Sequence, residues 1–381
     1  MERRHEMFEI KKDAVSYSLA EIKRMKDEGL VPKATLEALR NKADECLERP
    51  LVSVTKKILI PPSANPHDYM SMGTFWWPNP DTPDGLPYIR RDGYRNPEGD
   101  DPNNIWEMVA QVKWCTLAAF YFDEDRYAER AVAALYEWYI GPETYMTPNA
   151  RYAQAIPGKC EGRNIGIIDF KDSYEIMNSI RLLDAMGKIP AEYVSALEKW
   201  FSDFTDWMLT HEYGLGEDNH HNNHGTWYDV QILAAAIFTD RPALARKIIT
   251  TAYMRRFAPK IEKSGAQPRE LERTCGMEYS LMNQFALTTI AIMSERAGDG
   301  RYFARDEEAG DCLIKLAVDF LYQYIKRPED FPYQQVHKVR DFSQAAFTYL
   351  ALAERMPDTH CKERFLDLMK PEMLFLTVPA K

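Results

Sequence analysis

The chain has 381 residues, of which 45% are hydrophobic and 28% are charged, and its formal net charge is −10. This composition is typical of a globular protein and excludes a disordered or collagen-like chain. Because nucleic-acid binding usually requires a basic surface, we expect no nucleic-acid partner. No apolar run approaches the roughly 20 residues of a membrane helix, so we expect no membrane partner, and the first seven residues lack the apolar stretch of a secretory signal. The six cysteines include no C-x-x-C pair and are expected to be free thiols.

Apolar residues recur every three or four positions along most of the chain, which is typical of amphipathic helices. They predict about twelve helices, at 15–25, 36–47, 105–121, 127–139, 167–186, 191–209, 227–238, 244–257, 279–293, 312–325, 345–356 and a short one near the end. No run shows the alternation of a β-strand, although Val52–Ile60 is compatible with one extended segment.

Most of the predicted helices are joined by short connections, which favour antiparallel helix hairpins. We therefore expect an all-α fold in a single domain covering residues 1–381, an (α/α) toroid of about six to seven hairpins with long loops. An irregular helical bundle and a solenoid are the alternatives. No repeat of fixed length is visible, which weakens the solenoid.

Two segments are too long to be simple connections and are expected to be functional. The first, which we call the arm, covers residues 50–104 and combines aromatic and basic side chains, among them Trp76, Trp77, Tyr88, Arg90 and Arg91. Aromatic rings stack on sugar rings and guanidinium groups bind carboxylates, so this combination suits an acidic sugar, with the arm as a lid over the toroid mouth. A proline-rich arm packed on the domain surface is the alternative. The second segment, residues 141–165, contains Tyr152 and Gln154 and forms another candidate rim.

Three of the eight histidines lie within five residues, in the run Asn219-His220-His221-Asn222-Asn223-His224. Carboxamides and an imidazole together can bind a carboxylate, which makes Asn222, Asn223 and His224 candidate substrate contacts. The segment could instead be a helix cap built from asparagine. It could also be a metal site at His220 and His224, but no third ligand is evident in the sequence.

A second polar segment, residues 264–279, ends where a helical pattern begins. Arg273 and Tyr279 are six residues apart and would point in different directions on one continuous helix. They converge only if Arg273 lies in the loop and Tyr279 in the first helical turn. A guanidinium near a phenol favours the phenolate and lowers its pKa, so Tyr279 could then act as a base. A tyrosine merely packed at a helix start is the alternative.

These segments resemble the alginate lyase superfamily, that is, polysaccharide lyase family 5 and particularly family 38. The resemblance runs from about residue 50 to residue 350. It rests on the motifs His67-Asp68-Tyr69, Trp76-Trp77-Pro78-Asn79-Pro80, Gly85–Gly93, Tyr152-Ala153-Gln154, Gly166–Asp169, Asn222–Asp229 and Gln267-Pro268…Arg273…Tyr279-Ser280. It implies an (α/α) toroid in which Asn223, His224, Arg273 and Tyr279 are catalytic. Trp227 and Gln267, within the same motifs, are expected to contact substrate.

The function expected from this resemblance is β-elimination on a 1,4-linked polyuronate, alginate, with Tyr279 as base and then acid. No metal or other cofactor is expected, and the only expected partner is the acidic polysaccharide. A glucuronan lyase uses the same chemistry. Two further classes of protein are compatible with the sequence: a glycoside hydrolase, with Asp169 and Glu272 nominally available as its two carboxylates, and a non-catalytic polyuronate-binding protein. The resemblance also implies a periplasmic or secreted enzyme.

Overall fold

Residues 13–96, 105–357 and 359–373 are described in a computed structural model, in which the chain divides into two compact units. The central unit begins at residue 39 and ends at residue 219. The terminal unit contains the chain up to residue 38 and the chain from residue 220 onward. The prediction of a single domain over residues 1–381 stays a prediction.

The regular structure of the terminal unit consists mainly of α-helices. These are α1 (Leu19–Asp27), the start of α2 (Lys33–Glu48), α8 (Asn223–Phe238), α9 (Pro242–Ala252), α10 (Pro268–Leu271), α11 (Gly276–Arg296), α12 (Leu313–Lys326), α13 (Ser343–Arg355) and α14 (Cys361–Leu368). Helix α11 packs against α8, α10, α12 and α13 and is therefore the centre of this unit.

The central unit contains the rest of α2 together with α3 (Ile105–Phe122), α4 (Asp125–Leu135), α5 (Ser173–Ala185), α6 (Ala191–Thr210) and α7 (Glu212–Asp218). Helices α3 and α4 form a hairpin across two residues, and α3 also packs on α5. A π-helical turn, Tyr136–Ile140, extends α4, and another, Tyr253–Phe257, extends α9 in the terminal unit.

Among the described residues, four short strands interrupt this helical architecture: β1 (Met70–Met72), β2 (Trp76–Trp77), β3 (Ile89–Arg90) and β4 (Tyr152–Ala155). Strands β1 and β4 pair in parallel, whereas β2 and β3 pair in antiparallel. With two to four residues each, they are too short to show the alternation by which a strand is recognised in a sequence.

The all-α prediction is confirmed, and some of the predicted elements need local correction. The segment Val52–Ile60 is not a strand, because Val54–Lys56 forms a 3₁₀ turn there. The helix predicted over 167–186 is divided into a 3₁₀ segment, Asn164–Phe170, and α5. The predicted free thiols are also found, since all six cysteines are unpaired.

Candidate active site

His224, in the first turn of α8, is partly exposed to solvent, unlike the rest of that helix. Every residue of α8 except His224 is buried. Asn222 is the N-cap residue, and its Oδ1 accepts a hydrogen bond from the backbone N–H of His224 at 3.2 Å. Asparagine is favoured at this position because its side chain satisfies a backbone N–H that the helix leaves unpaired. The capping role considered for this segment is therefore present, and it leaves the His224 ring on the accessible side.

The neighbouring residue, Asn223, is fully buried and is held by an acidic side chain. Its backbone N–H donates to Oε1 of Glu270 at 2.5 Å, and its Nδ2 donates to Oε2 of the same residue at 2.7 Å. Glu270 belongs to α10 and is only 1% exposed. Burial, the largest influence, raises the pKa of the Glu270 carboxyl, while the hydrogen bonds from Asn223 and the positive charge of Lys260 act in the opposite direction.

Two buried cations, Lys260 and Arg256, contact the residues just before α8 and in its first turn. Lys260, which is 5% exposed, donates to the backbone oxygen of Asn222 at 2.6 Å and to Oγ1 of Thr226 at 2.8 Å. Arg256 donates to the backbone oxygen of His220 at 3.3 Å and forms two hydrogen bonds with the carboxylate of Asp229. Burial lowers the pKa of Lys260 to about 7, helped by the positive charge of Arg256. These contacts from buried side chains hold the backbone on both sides of His224 in place.

A metal site at His220 and His224 would need further ligands close to the two rings. The rings of His220 and His224 lie 5.3 Å apart between centroids. Within residues 13–96, 105–357 and 359–373, no group of three or more His, Cys, Asp and Glu side chains is arranged to hold a metal ion.

Arg273 and Tyr279 converge in the way that the sequence predicts. Arg273 lies in the loop between α10 and α11, and Tyr279 is the fourth residue of α11. The guanidinium carbon of Arg273 is 4.3 Å from the centre of the Tyr279 ring, so the cation lies against the ring face. Both side chains are half-buried. Tyr279, Met282 and Phe285, which share one face of α11, are not buried, whereas most of the helix is.

The loop that carries Arg273 is anchored on both sides. On the inner side, Gln267 donates to the backbone oxygen of Ser280 at 3.2 Å and accepts from Nδ2 of Asn283 at 2.7 Å. On the outer side, Gln335 accepts from the backbone N–H of Met277 at 3.0 Å, and residues 274–276 pair with residues 334–336. The first turn of α11 is thereby held in place, which keeps Tyr279 beside Arg273.

Two predicted substrate contacts of the terminal unit lie in its interior. Gln267 and Trp227 are each 1% exposed. The Trp227 ring packs against Phe285 of α11 at 5.8 Å between centroids. Both residues therefore support the walls of the site, and neither has surface on which a sugar could lie.

In the central unit, the motif residues Gln154 and Asp169 belong to a hydrogen-bond network beside Tyr152 of β4. The Asp169 carboxylate accepts from Tyr69 Oη, Ser71 Oγ and Gln154 Nε2, at distances between 2.5 and 3.0 Å. Burial raises the pKa of Asp169, and these hydrogen bonds oppose the rise. Gln154 also accepts from Arg163 through its side-chain oxygen at 3.1 Å. Its amide is thus engaged at both ends, and Tyr152, on β4, is 8% exposed.

The aromatic and basic residues of the arm form a small hairpin. Trp76 and Trp77 of β2 pair with Arg90 and Ile89 of β3, respectively. Both tryptophans and Tyr88 are half-buried. Arg90 forms an ion pair with Asp92 at 2.6 Å, and the Arg91 guanidinium lies 5.2 Å from the centre of the Trp77 ring. The last part of the arm, residues 97–104, lies outside the described residues.

The structure thus places Asn222, Asn223 and His224 at the start of α8, and Tyr279 at the start of α11 with Arg273 in the loop before it. Helices α8 and α11 pack on each other in the terminal unit. It groups the predicted arm residues in a hairpin of the central unit. Glu270, Lys260, Arg256 and Gln335 were not predicted. Glu270 lies in the polar segment 264–279, which the sequence does single out, whereas no sequence signal identifies the other three.

Comparisons with known proteins identify the class. The chain matches the alginate lyase family over residues 53–331. It is similar to the crystal structure of an alginate lyase from Bacteroides ovatus, with 30% identity over 96% of this chain and 98% of that chain, and a TM-score of 0.89. This is a polysaccharide lyase, and the fold class predicted from the sequence, an all-α (α/α) toroid, is confirmed. The chain belongs to the alginate lyase family.

More distant structures share the fold alone. Alginate lyase A1-III from Sphingomonas species A1 has 13% identity and a TM-score of 0.57, over 92% of this chain and 98% of that chain. A variant of alginate lyase A1-III complexed with a tetrasaccharide has 12% identity and a TM-score of 0.62, over 96% of both chains. No curated protein matches the chain. Within the described part of the chain, none of the helices combines the length and the apolar composition required to cross a lipid bilayer.

Proposed function

We propose that this polysaccharide lyase cleaves alginate, a 1,4-linked polyuronate, by β-elimination without a metal ion, with Tyr279 as base and then acid. The single observation that carries the proposal is the placement of the Arg273 guanidinium 4.3 Å from the Tyr279 ring centre. A cation at this position favours the phenolate over the phenol. Tyr279 must lose its proton before it can act as a base, and the adjacent guanidinium stabilises this deprotonated form.

The first requirement of the reaction is to stabilise charge on the uronate. The C5 proton becomes acidic only when the adjacent carboxylate is neutralised, because its removal places further negative charge on that group. We assign the carboxylate to His224 and Asn223 in the first turn of α8. Both donors of Asn223 are held by Glu270 in the structure, so its side-chain amide serves the carboxylate only after it reorients. The positive end of the helix dipole lies at the same place and favours an anion there. Such donors stabilise developing charge most when they are already in position.

The second requirement is a group that moves one proton. Tyr279 accepts the proton from C5, and the electrons of the broken C5–H bond form the double bond between C4 and C5. The bond from C4 to the bridging oxygen then breaks, and Tyr279 returns the proton to that oxygen. Arg273 stabilises the phenolate before and after the transfer. For a uronate whose C5 proton lies on the opposite face of the ring, His224 is the base, which distinguishes guluronate from mannuronate.

The test is the substitution Tyr279→Phe, which preserves the ring and removes the hydroxyl. General acid–base groups contribute about 10²–10⁴ in rate, and we expect a loss of turnover in that range. Turnover is followed by the ultraviolet absorbance of the unsaturated product. The matched control is Tyr193→Phe, because Tyr193 is also half-buried in a helix but lies in α6. A Tyr279→Phe enzyme that keeps more than about a tenth of the wild-type rate would exclude Tyr279 as the shuttle.

Metal independence and the identity of the uronate are tested separately. Dialysis against a chelator should leave the rate unchanged, whereas a loss restored by zinc would assign the histidine cluster to a metal. Product analysis on polymannuronate, polyguluronate and glucuronan distinguishes an alginate lyase from a glucuronan lyase. A glycoside hydrolase would produce reducing ends without new absorbance. Of its two nominal carboxylates, Asp169 is buried with three donors and Glu272 is exposed beside Arg269, and neither environment favours that role.

The same substrate favours a location outside the cytoplasm. A polymer of uronates is too large and too charged to cross a membrane intact, so we propose that the enzyme acts in the periplasm or outside the cell. Fractionation of cells that produce the enzyme, with activity measured in each fraction, tests this location.

A further inference from the structure

The contact between Asn223 and Glu270 has an orientation that matters for the reaction. Both oxygens of Glu270 accept hydrogen bonds from Asn223, one from the backbone N–H and one from Nδ2. Asn223 Oδ1 is buried and has no hydrogen-bond partner among the described residues. The donor end of the carboxamide is therefore directed at Glu270, and the acceptor end is left without a donor.

This arrangement suits an ionised Glu270 but suits a bound uronate poorly. A substrate carboxylate accepts hydrogen bonds and is repelled by Oδ1, whereas it would be stabilised by Nδ2. A rotation of 180° about the last side-chain bond of Asn223 exchanges the two ends of the carboxamide. After that rotation Oδ1 faces Glu270, and it needs a donor there. An ionised carboxylate has none, but a protonated one has an O–H group.

We propose that Glu270 is a positioning residue that takes up a proton when substrate binds and thereby turns the Asn223 carboxamide so that Nδ2 faces the uronate carboxylate. In the protonated state the Glu270 O–H donates to Asn223 Oδ1, and the other Glu270 oxygen still accepts from the Asn223 backbone N–H. The proton comes from the solvent, and no bond other than this O–H forms. This inference rests on the proposed function, because it assigns Asn223 to the substrate carboxylate.

The surroundings of Glu270 make the uptake of a proton accessible. Burial raises the pKa of Glu270, and a substrate carboxylate bound nearby would raise it further, since like charges disfavour each other's ionised forms. Lys260 and His224 are the charged or titratable groups that oppose the rise. Lys260 in turn is influenced by Arg256, Asp229 and Arg255. Below about pH 7, where Lys260 is protonated, the two buried acids, Glu270 and Asp229, balance the two buried cations, Lys260 and Arg256, in formal charge.

The experiment measures the protons taken up on binding. The Tyr279→Phe variant, which should bind without turnover, is titrated calorimetrically with a tetrasaccharide of whichever uronate the wild-type enzyme cleaves. Repetition in buffers with different ionisation enthalpies gives the number of protons bound. At a pH where Glu270 is ionised in the free enzyme, we expect about one proton per oligosaccharide, and an affinity that falls about tenfold per pH unit. Binding by Glu270→Gln in the same background should lose this dependence, because glutamine is an isostere that already donates from Nε2.

The controls assign the proton to one group. Lys260→Met in the same background should still take up a proton, provided that the pH is high enough for Glu270 to be ionised in the free variant, because Lys260 no longer lowers the pKa of Glu270. The inference is overturned if binding to the Glu270-containing enzyme takes up no proton, if the uptake persists in Glu270→Gln, or if only Lys260→Met abolishes it. If Glu270→Gln does not fold, an affinity of the intact protein that does not depend on pH overturns the inference by itself. Failure to bind or cleave any polyuronate refutes the proposed function and the inference with it, whereas binding without proton uptake refutes the inference alone.

Discussion

Substitution of Gly225 by alanine should disturb the active site by steric contact alone. Gly225 follows His224 in the first turn of α8. A Cβ atom added there would lie 2.3 Å from the backbone oxygen of His220 and 2.5 Å from a terminal nitrogen of Arg256. Real Cβ contacts essentially never fall below 3.0 Å, so the first of these atoms must retreat by about 0.7 Å. His220 is held in place by Arg256, which is itself bonded to the buried Asp229, so the helix start must move instead.

The size of the effect follows from this displacement. Movement of a catalytic group by about 1 Å costs roughly 10²-fold in rate, and we expect a loss of turnover approaching that size. The overpacking should also lower the free energy of unfolding by about 1–3 kcal/mol. Steady-state rates of product absorbance and thermal denaturation measure the two quantities.

The control is Gly300→Ala in the same unit. The nearest atoms to a Cβ at Gly300 are those of Glu295 at 3.9 Å, and its φ of −85° is accessible to alanine. This variant should keep its activity. If Gly225→Ala also turns over at the wild-type rate, the start of α8 is not held rigidly and the buried contacts around it do not position His224.

Three further outcomes are expected. Burial lowers the pKa of Lys260 to about 7, which is below the usual value for lysine. Between about pH 7 and pH 10, Lys260 is therefore protonated in the unfolded chain but not in the folded one, so the free energy of unfolding should rise with pH in this range. Denaturant titrations should show this rise, and Lys260→Met should flatten it. Asp169→Asn replaces one of the two acceptor oxygens that serve three donors with an NH2 group. It should lower the free energy of unfolding by about 1–3 kcal/mol while the folded enzyme keeps its turnover, and a collapse of turnover at unchanged stability would favour the hydrolase. Replacement of Arg90 and Arg91 by alanine should raise KM and flatten its dependence on salt; an unchanged KM with lower thermal stability would make the arm structural.

Much of the helical fold could be predicted from the sequence because the periodic apolar residues are a local signal. The predicted segment 105–121, for example, corresponds to α3, and 191–209 corresponds to α6. Helix α7 could not be predicted, because its two glycines lower helix propensity. A Cβ at Gly214 would lie 1.8 Å from the backbone oxygen of Met208. The glycine is thus required by close packing against the end of α6, which no local pattern reveals.

The arm was also only partly predictable from its sequence. Its composition indicated aromatic and basic groups together, and these groups do lie together in one hairpin. The pairing of Trp76 with Arg90 depends on residues 14 positions apart in the chain. The ion pair between Arg90 and Asp92 also engages a charge that composition alone would leave for the substrate. The residue types of the arm could therefore be predicted, but not which of their charges form ion pairs within the protein.

The candidate site also contains one contact that the sequence could predict and one that it could not. Arg273 and Tyr279 are six residues apart, and a helix that begins between them is sufficient to bring them together, so their convergence could be predicted from local structure. Asn223 and Glu270 are 47 residues apart, and their contact depends on the packing of α10 near the start of α8. Glu270 belongs to the polar segment 264–279, but no local pattern shows that its carboxylate is buried against Asn223. Groups that face the substrate can thus be recognised by their type and spacing, whereas the groups that hold them become visible only when the chain is folded.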